Sequence, residues 1–106
     1  MIPYERFDSW KLSHKLALAI YRVSEQWPIN ERYGLTAQIR RAALSAPTNI
    51  AEGSAKRGAR EFRRYLDIAL GSLSEVSYLL RFTEIVAFSR WKISRFWMIS
   101  GIKQGS

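Results

Sequence analysis

The chain has 106 residues, of which 17 are Lys or Arg and 9 are Asp or Glu, so its formal net charge is +8 and its pI is about 10.3. A chain of this length can bury one hydrophobic core, and we expect a single domain over residues 1–106. Cysteine is absent, which excludes disulfides, thiolate metal sites and a cysteine nucleophile. The charge favours a polyanionic partner, although many small basic proteins bind no nucleic acid.

The N-terminal residues argue against secretion. Glu5 and Asp8 lie where a signal peptide needs an apolar run, and nowhere do about 18 apolar residues follow one another. We therefore expect a cytoplasmic protein that does not associate with membranes.

The first helical pattern runs from about Ser9 to Trp27. Its expected core face follows a period of 100° per residue and comprises Leu12, Leu16, Ala19, Ile20, Val23 and Trp27. A second face, which includes Trp10 and Tyr21, is also apolar and predicts that a neighbouring subunit covers this helix. Pro28 lacks an amide donor and disfavours helical angles in the residue before it, so it should end the helix.

The second helical pattern begins near Thr36, a suitable N-cap. Its buried stripe comprises Leu35, Ile39, Ala42, Ala43, Ala46 and Ile50. Arg40 and Arg41 point away from this stripe.

Pro47 interrupts the second pattern, and we expect a kink there because the apolar spacing continues beyond it. Ser45 and Asn49 are the nearest side chains able to occupy the carbonyl that Pro47 leaves without a donor. Gly53 and Gly58 suit the end of the helix and the connection that follows.

The third helical pattern runs from about Ala59 to Phe88. Its principal face comprises Phe62, Leu66, Ala69, Leu73, Val76 and Leu80, and a second stripe comprises Ile68, Leu79, Phe82 and Val86. Gly71 and Ser72 leave room beside the second stripe for another helix. Because large exposed apolar patches mark interaction sites, two stripes predict a homo-oligomer.

Three stretches carry a resemblance to a known family: QIRRA at 38–42, PTNIAEG at 47–53 and ALGSLSE at 69–75. In this order they resemble the bacterial four-helix-bundle proteins encoded in ribosomal RNA intervening sequences, often labelled S23-type. That family is distantly similar to the accessory variability protein of diversity-generating retroelements. The resemblance covers about Phe7 to Phe88, implies a homo-oligomer, a pentamer of bundles around an axis, and attaches no catalysis to Asn49 or Glu52.

The resemblance ends after Phe88, because residues 89–100 are shorter and more basic than the closing helix of such a bundle. Four apolar side chains in this segment can still cover the core: Trp91, Phe96, Trp97 and Ile99. The fold class that we expect is all-α, an antiparallel up-down four-helix bundle with a kinked second helix and a short or altered fourth helix.

No residue pattern favours catalysis. His14 is the only histidine and shares a face with aromatic residues, so we interpret it as a packing or interface residue. Four residues at the kinked helix end are interpreted as structural: Pro47, Asn49, Glu52 and Gly53. We therefore predict that the protein is not an enzyme and needs neither a metal nor a cofactor.

Positive charge is concentrated around the connection between the second and third patterns. The predicted nucleic-acid-binding residues are Arg40, Arg41, Lys56, Arg57, Arg60, Arg63 and Arg64. A helix N-terminus disfavours cations, and Arg60 and Arg64 repel each other at i, i+4 spacing, so a bound phosphate would relieve both penalties. Alternatively, Glu61 and Asp67 pair with these cations locally. No helix-turn-helix or aromatic stacking platform is visible, which predicts binding to the phosphate backbone.

Two functions stay open from the sequence. The first is a basic oligomer that binds nucleic acid, RNA before DNA, as an accessory to ribosomal RNA inserts or to a reverse transcriptase. The second is an oligomeric scaffold with a protein partner and incidental charge. In either case the predicted subunit interface comprises Trp10, Tyr21, Ile68, Gly71, Leu79, Phe82 and Val86.

Overall fold

The computed structural model describes the backbone of residues 3–103 and the side chains of residues 3–87. Its α-helices are α1 at Asp8–Ser24, α2 at Leu35–Ser54 and α3 at Ala59–Lys103, with short 3-10 helices at Pro3–Arg6 and Ile29–Glu31. The described part of the chain contains no strand. The prediction of an all-α fold is therefore confirmed.

Helix α3 is one continuous helix of 45 residues, where the sequence predicted an end near Phe88 and a further helix. The described residues thus contain three α-helices, and a four-helix bundle is not confirmed. The physical reason is that no Gly or Pro occurs between Gly71 and Gly101 to end the helix. The expected covering of the core by Trp91, Phe96, Trp97 and Ile99 concerns side chains outside the described residues.

Helix α2 lies between the other two helices and runs antiparallel to both. Near one end Gly53 approaches Phe62 of α3, and further back Ser45 approaches Ser72. Over the described residues α1 and α3 make little direct backbone contact with each other, because both pack mainly against α2.

The core consists of two adjoining clusters in which α2 supplies mostly small side chains. The first comprises Ala17, Ile20, Ile39, Ala42, Ala43, Val76 and Leu79. The second comprises Ala46, Ile50 and Ala69, surrounded by Trp10, Phe62, Leu66 and Leu73. Alanine at the contact positions of α2 lets both neighbouring helices approach closely.

The buried face of α1 matches the expected one only in part: Ile20 is buried, and Leu16 and Trp27 pack against the first core cluster. Its buried residues are Ser13, Ala17, Ile20 and Ser24. The hydroxyls of Ser13 and Ser24 donate to carbonyls one turn earlier, at 3.1 and 3.2 Å, so their burial leaves no donor unpaired. Because this small face packs on α2, two residues of the expected core face, Leu12 and Val23, are 68% and 56% exposed.

The start of α2 also differs from the expectation. Gly34 occupies the N-cap, and Thr36 lies buried within the first turn. The backbone N–H of Leu35 donates to Oε2 of Glu31 at 3.3 Å, so a carboxylate three residues before the N-cap takes over the capping role predicted for Thr36.

Helix α2 continues through Pro47 to Ser54, as predicted. The amide of Asn49 donates to the carbonyl of Ser45 at 2.8 Å and to the Ser45 hydroxyl at 3.0 Å. These contacts do not reach the carbonyl of Ala43, which is the group that lacks a donor because of Pro47.

Candidate nucleic-acid interface

The connection from α2 to α3 is a short turn over residues 55–58. The backbone N–H groups of Ala55 and Lys56 donate to the carbonyls of Glu52 and Gly53, each at 3.1 Å. Gly58 has φ +87°, a left-handed backbone conformation that residues with a Cβ adopt only with strain. This turn places Lys56 and Arg57 beside the first residues of α3.

Tyr65 lies at the centre of these cations. The ammonium of Lys56 is 5.8 Å from the centroid of its ring, and the guanidinium carbon of Arg64 is 4.7 Å from it. Cations at these distances are attracted by the ring face. Tyr65 was not among the predicted site residues, although its place next to Arg64 in the sequence was a usable signal.

The guanidinium of Arg64 donates to Oε2 of Glu61 at 3.4 Å, across one turn of α3. This hydrogen bond, together with the charge of Glu61, raises the pKa of Arg64 above its ordinary value. Both side chains are largely exposed, so the pair contributes little to stability.

Three further guanidinium groups on the same surface point into solvent. Arg57, Arg60 and Arg63 are exposed and form no ion pair within residues 3–87. Asp67, the other expected local partner, forms none there either. We name the group Lys56, Arg57, Arg60, Arg63 and Arg64 the α3 basic cluster. Residues 56–64 thus present five cations against one carboxylate.

Arg40 and Arg41 do not belong to this cluster. Arg40 donates to the hydroxyl of Ser24 at 2.8 Å and to the carbonyl of Tyr21 at 3.1 Å, and its guanidinium lies 4.8 Å from the Tyr21 ring centroid. These contacts hold the end of α1 against α2, and the predicted phosphate contact of Arg40 stays a prediction. Arg41 is exposed but lies about 20 Å along the axis from the end of α2.

The predicted interface residues fall into two groups. Tyr21, Ile68, Gly71 and Phe82 are exposed, and we name the last three the outer face of α3. The others belong to the chain's own packing. Leu79 lies in the first core cluster, Trp10 stacks on His14 at 4.6 Å, and Val86 lines a hollow beside Trp27.

The predicted structural residues lie where α2 meets α3. Pro47 is buried, and Asn49 reaches Ser45, whose hydroxyl accepts from Ser72 of α3 at 2.9 Å. Gly53 is the residue before the last in α2 and is buried beneath Tyr65, so it permits close packing at the end of the helix. Glu52 is exposed near the last turn.

The described residues therefore define an all-α protein with antiparallel helices and a basic cluster at the turn between α2 and α3. Residues 5–92 match the family described as 23S rRNA-intervening sequence protein, and the chain belongs to that family. The resemblance in the sequence is thereby confirmed. No curated protein matches the chain.

The described residues also lack two features that define other classes of protein. They contain no group of three or more His, Asp or Glu side chains placed to hold a metal ion. None of the helices there combines the length and apolar character that crossing a membrane requires.

Proposed function

We propose that this protein is a non-catalytic homo-oligomer that binds RNA through the phosphate backbone. The observation that carries the proposal is the α3 basic cluster. Within it, Arg57, Arg60 and Arg63 are exposed and have no anionic partner among the described residues. Guanidinium groups of this kind form strong, charge-assisted hydrogen bonds with phosphate oxygens.

The position of the α3 basic cluster also supports phosphate binding. The cluster surrounds the N-terminal end of α3, where free backbone N–H groups and the helix dipole both favour an anion. Cations at this end repel the dipole and one another, so the free chain bears a cost that a phosphate would remove. The description of the family, as proteins of 23S rRNA intervening sequences, supports RNA as the source of that phosphate.

Homo-oligomerisation is the second part of the proposal. The outer face of α3 exposes apolar side chains on either side of Glu75: Ile68 is 41% exposed, and Phe82 is 42% exposed and pairs loosely with Tyr78, with ring centroids 6.3 Å apart. Burying such a face between copies would remove apolar area from water. A closed ring, a pentamer by resemblance, would repeat the basic cluster and strengthen its field.

The alternative is an oligomeric scaffold with a protein partner and incidental charge. The same outer face of α3 favours it, since an apolar surface can take another protein as well as a copy of this chain. The two functions differ in what the basic cluster does.

Binding of labelled structured RNA, duplex DNA and single strands across a salt series tests the proposal. We expect structured RNA to bind at low salt with similar affinity for unrelated sequences, because phosphate contacts carry no sequence information. Affinity should fall steeply as salt rises. Absence of binding to every nucleic acid at low salt would contradict the proposal and favour the scaffold.

A further inference from the structure

An open apolar groove runs between α1 and α3 on the side away from α2. Its widest part holds about 410 Å³ and is lined by Leu12 and Leu16 from α1 and by Leu66, Leu70 and Leu73 from α3. It continues along α3 past Leu80 to Glu84, where a second part holds about 390 Å³. From residue 66 to residue 84 the groove is about 27 Å long, at 1.5 Å per helical residue.

The leucine side chains that line the groove are more exposed to solvent than core side chains of a folded domain usually are. Leu12 is 68% exposed and Leu70 is 64% exposed, although Ile50 and Ala69 beneath them are buried. Helices α1 and α3 do not close over this groove, because α1 packs on α2 through the face around Ala17. The leucines of α1 therefore lie beside that contact and not within it. An apolar surface of this form marks a site where another element docks.

The same chain supplies a segment of suitable length. Helix α3 continues through residues 88–103, about 24 Å of helix. Leu35, the first residue of α2, lies beside Thr83 and Val86, so the helical backbone after residue 87 extends beyond the start of α2. By helical period Phe88, Trp91, Met98 and Ile102 share one face of this segment, and Arg95 lies on the same face between Trp91 and Met98.

This segment cannot reach the groove of its own chain while α3 stays continuous, because it runs on in the direction away from residues 66–84. Charge also suits this segment as the occupant, because Arg81 and Glu84 in the second part of the groove pair with each other at 3.2 Å and leave Asp67 as the excess charge. Residues 88–106 contain four cations and no carboxylate, whereas Asp67 lies at the groove wall and forms no ion pair within residues 3–87.

We propose that residues 88–103 of one copy lie in the α1–α3 groove of a second copy. The exchange is reciprocal, so each copy supplies one segment and one groove across a two-fold axis. This contact is separate from the outer face of α3, and it does not depend on the binding of nucleic acid.

Cross-linking between engineered cysteines tests this contact, because the natural chain contains none. Ser77→Cys and Arg95→Cys lie near the midpoints of the groove and of the segment, so they approach each other whichever direction the segment runs. After equal mixing of the two purified variants with a bismaleimide, we expect a cross-linked pair containing one copy of each. Each variant alone should give no such pair.

A double variant that carries both cysteines shows whether the groove is occupied by a second copy, by the same chain or by another protein. The proposal predicts cross-linked dimers. An internal link in a species of monomer mass would mean that the segment folds back as a fourth helix, and it would overturn the proposal. The absence of any link in the mixture and in the double variant would overturn it as well, leaving the groove to another protein.

Two lysine variants test whether the cross-linked pairs depend on the apolar wall of the groove. Leu70→Lys should reduce the yield of cross-linked pairs at least tenfold, since it puts a charge in the contact. Leu44→Lys is the matched control, because Leu44 lies on α2, away from the groove and from the outer face of α3, and is 49% exposed. Equal yields from the two variants would contradict docking in this groove.

Discussion

Tyr65 of α3 packs directly on the backbone of Gly53 in α2, so closely that a Cβ built at position 53 would lie 2.6 Å from the Tyr65 Cβ. Both atoms are fixed to backbones, so neither can rotate away. This contact sets the separation of α2 and α3 at the turn that carries the basic cluster.

Gly53→Ala should therefore lower the free energy of unfolding by about 1–3 kcal/mol, the range found for overpacked sites. The better helix propensity of alanine offsets at most about 1 kcal/mol of this cost. Denaturant unfolding followed by circular dichroism measures the difference. An unchanged or raised stability would mean that the two helices are less closely packed than described.

Gly71→Ala is the matched change on the exposed side of α3, where a new Cβ would meet nothing within 4 Å. In dilute, monomeric solution it should raise the free energy of unfolding by up to about 1 kcal/mol, because glycine disfavours helix. If copies pack closely beside Gly71, sedimentation should show that the same change weakens the oligomer. A loss of stability in the monomer would contradict the open surroundings of Gly71.

Arg40→Gln should lower the free energy of unfolding by about 1–2 kcal/mol, since it removes two hydrogen bonds and a cation–π contact to the end of α1. Arg41→Gln makes the same change of charge at the adjacent, exposed position and should stay within about 0.5 kcal/mol of the native protein. Thermal unfolding compares them. Equal effects would show that the contacts of Arg40 contribute nothing.

Leu79→Glu and Phe82→Glu should have different consequences although the residues lie three positions apart. Leu79 is in the core, so a carboxylate there should unfold the chain. Phe82 is exposed, so its replacement should preserve the helical circular dichroism spectrum and reduce the mass measured by light scattering. A folded Phe82→Glu variant of unchanged mass would exclude this face as the subunit contact.

The positions of the helices could be predicted from hydrophobic spacing, but the buried face of α1 could be predicted only in part, with Ile20 on it and Leu12 and Val23 off it. The pattern of Leu12, Leu16 and Val23 is the larger apolar stripe, and spacing alone selects it. Helix α2 instead presents alanines, which fit the small face around Ala17. Which face is buried thus depends on a partner that the α1 sequence does not contain.

The length of α3 was predictable in principle. Residues 89–100 lack Gly and Pro, and this local signal favours the continuous helix that the structure has. The α3 basic cluster could be located from the sequence because its members are neighbours there, and its binding of nucleic acid stays a prediction. The contacts of Arg40 could not be predicted, since its partners Tyr21 and Ser24 lie on another helix.

The slope of log affinity against log salt, measured on structured RNA, tests the central claim most directly. One variant replaces Arg57, Arg60, Arg63 and Arg64 with Gln. Its control replaces four exposed cations of α1 and the following loop with Gln, and so lowers the net charge equally: Lys11, Lys15, Arg22 and Arg32. Both sets are exposed, so both variants should remain helical.

We predict that the cluster variant loses affinity for every RNA sequence and that its slope flattens by about one unit for each phosphate contact removed. The control should keep most of the native slope. An unchanged affinity and slope in the folded cluster variant, or equal losses in the two variants, would contradict RNA binding at the α3 basic cluster.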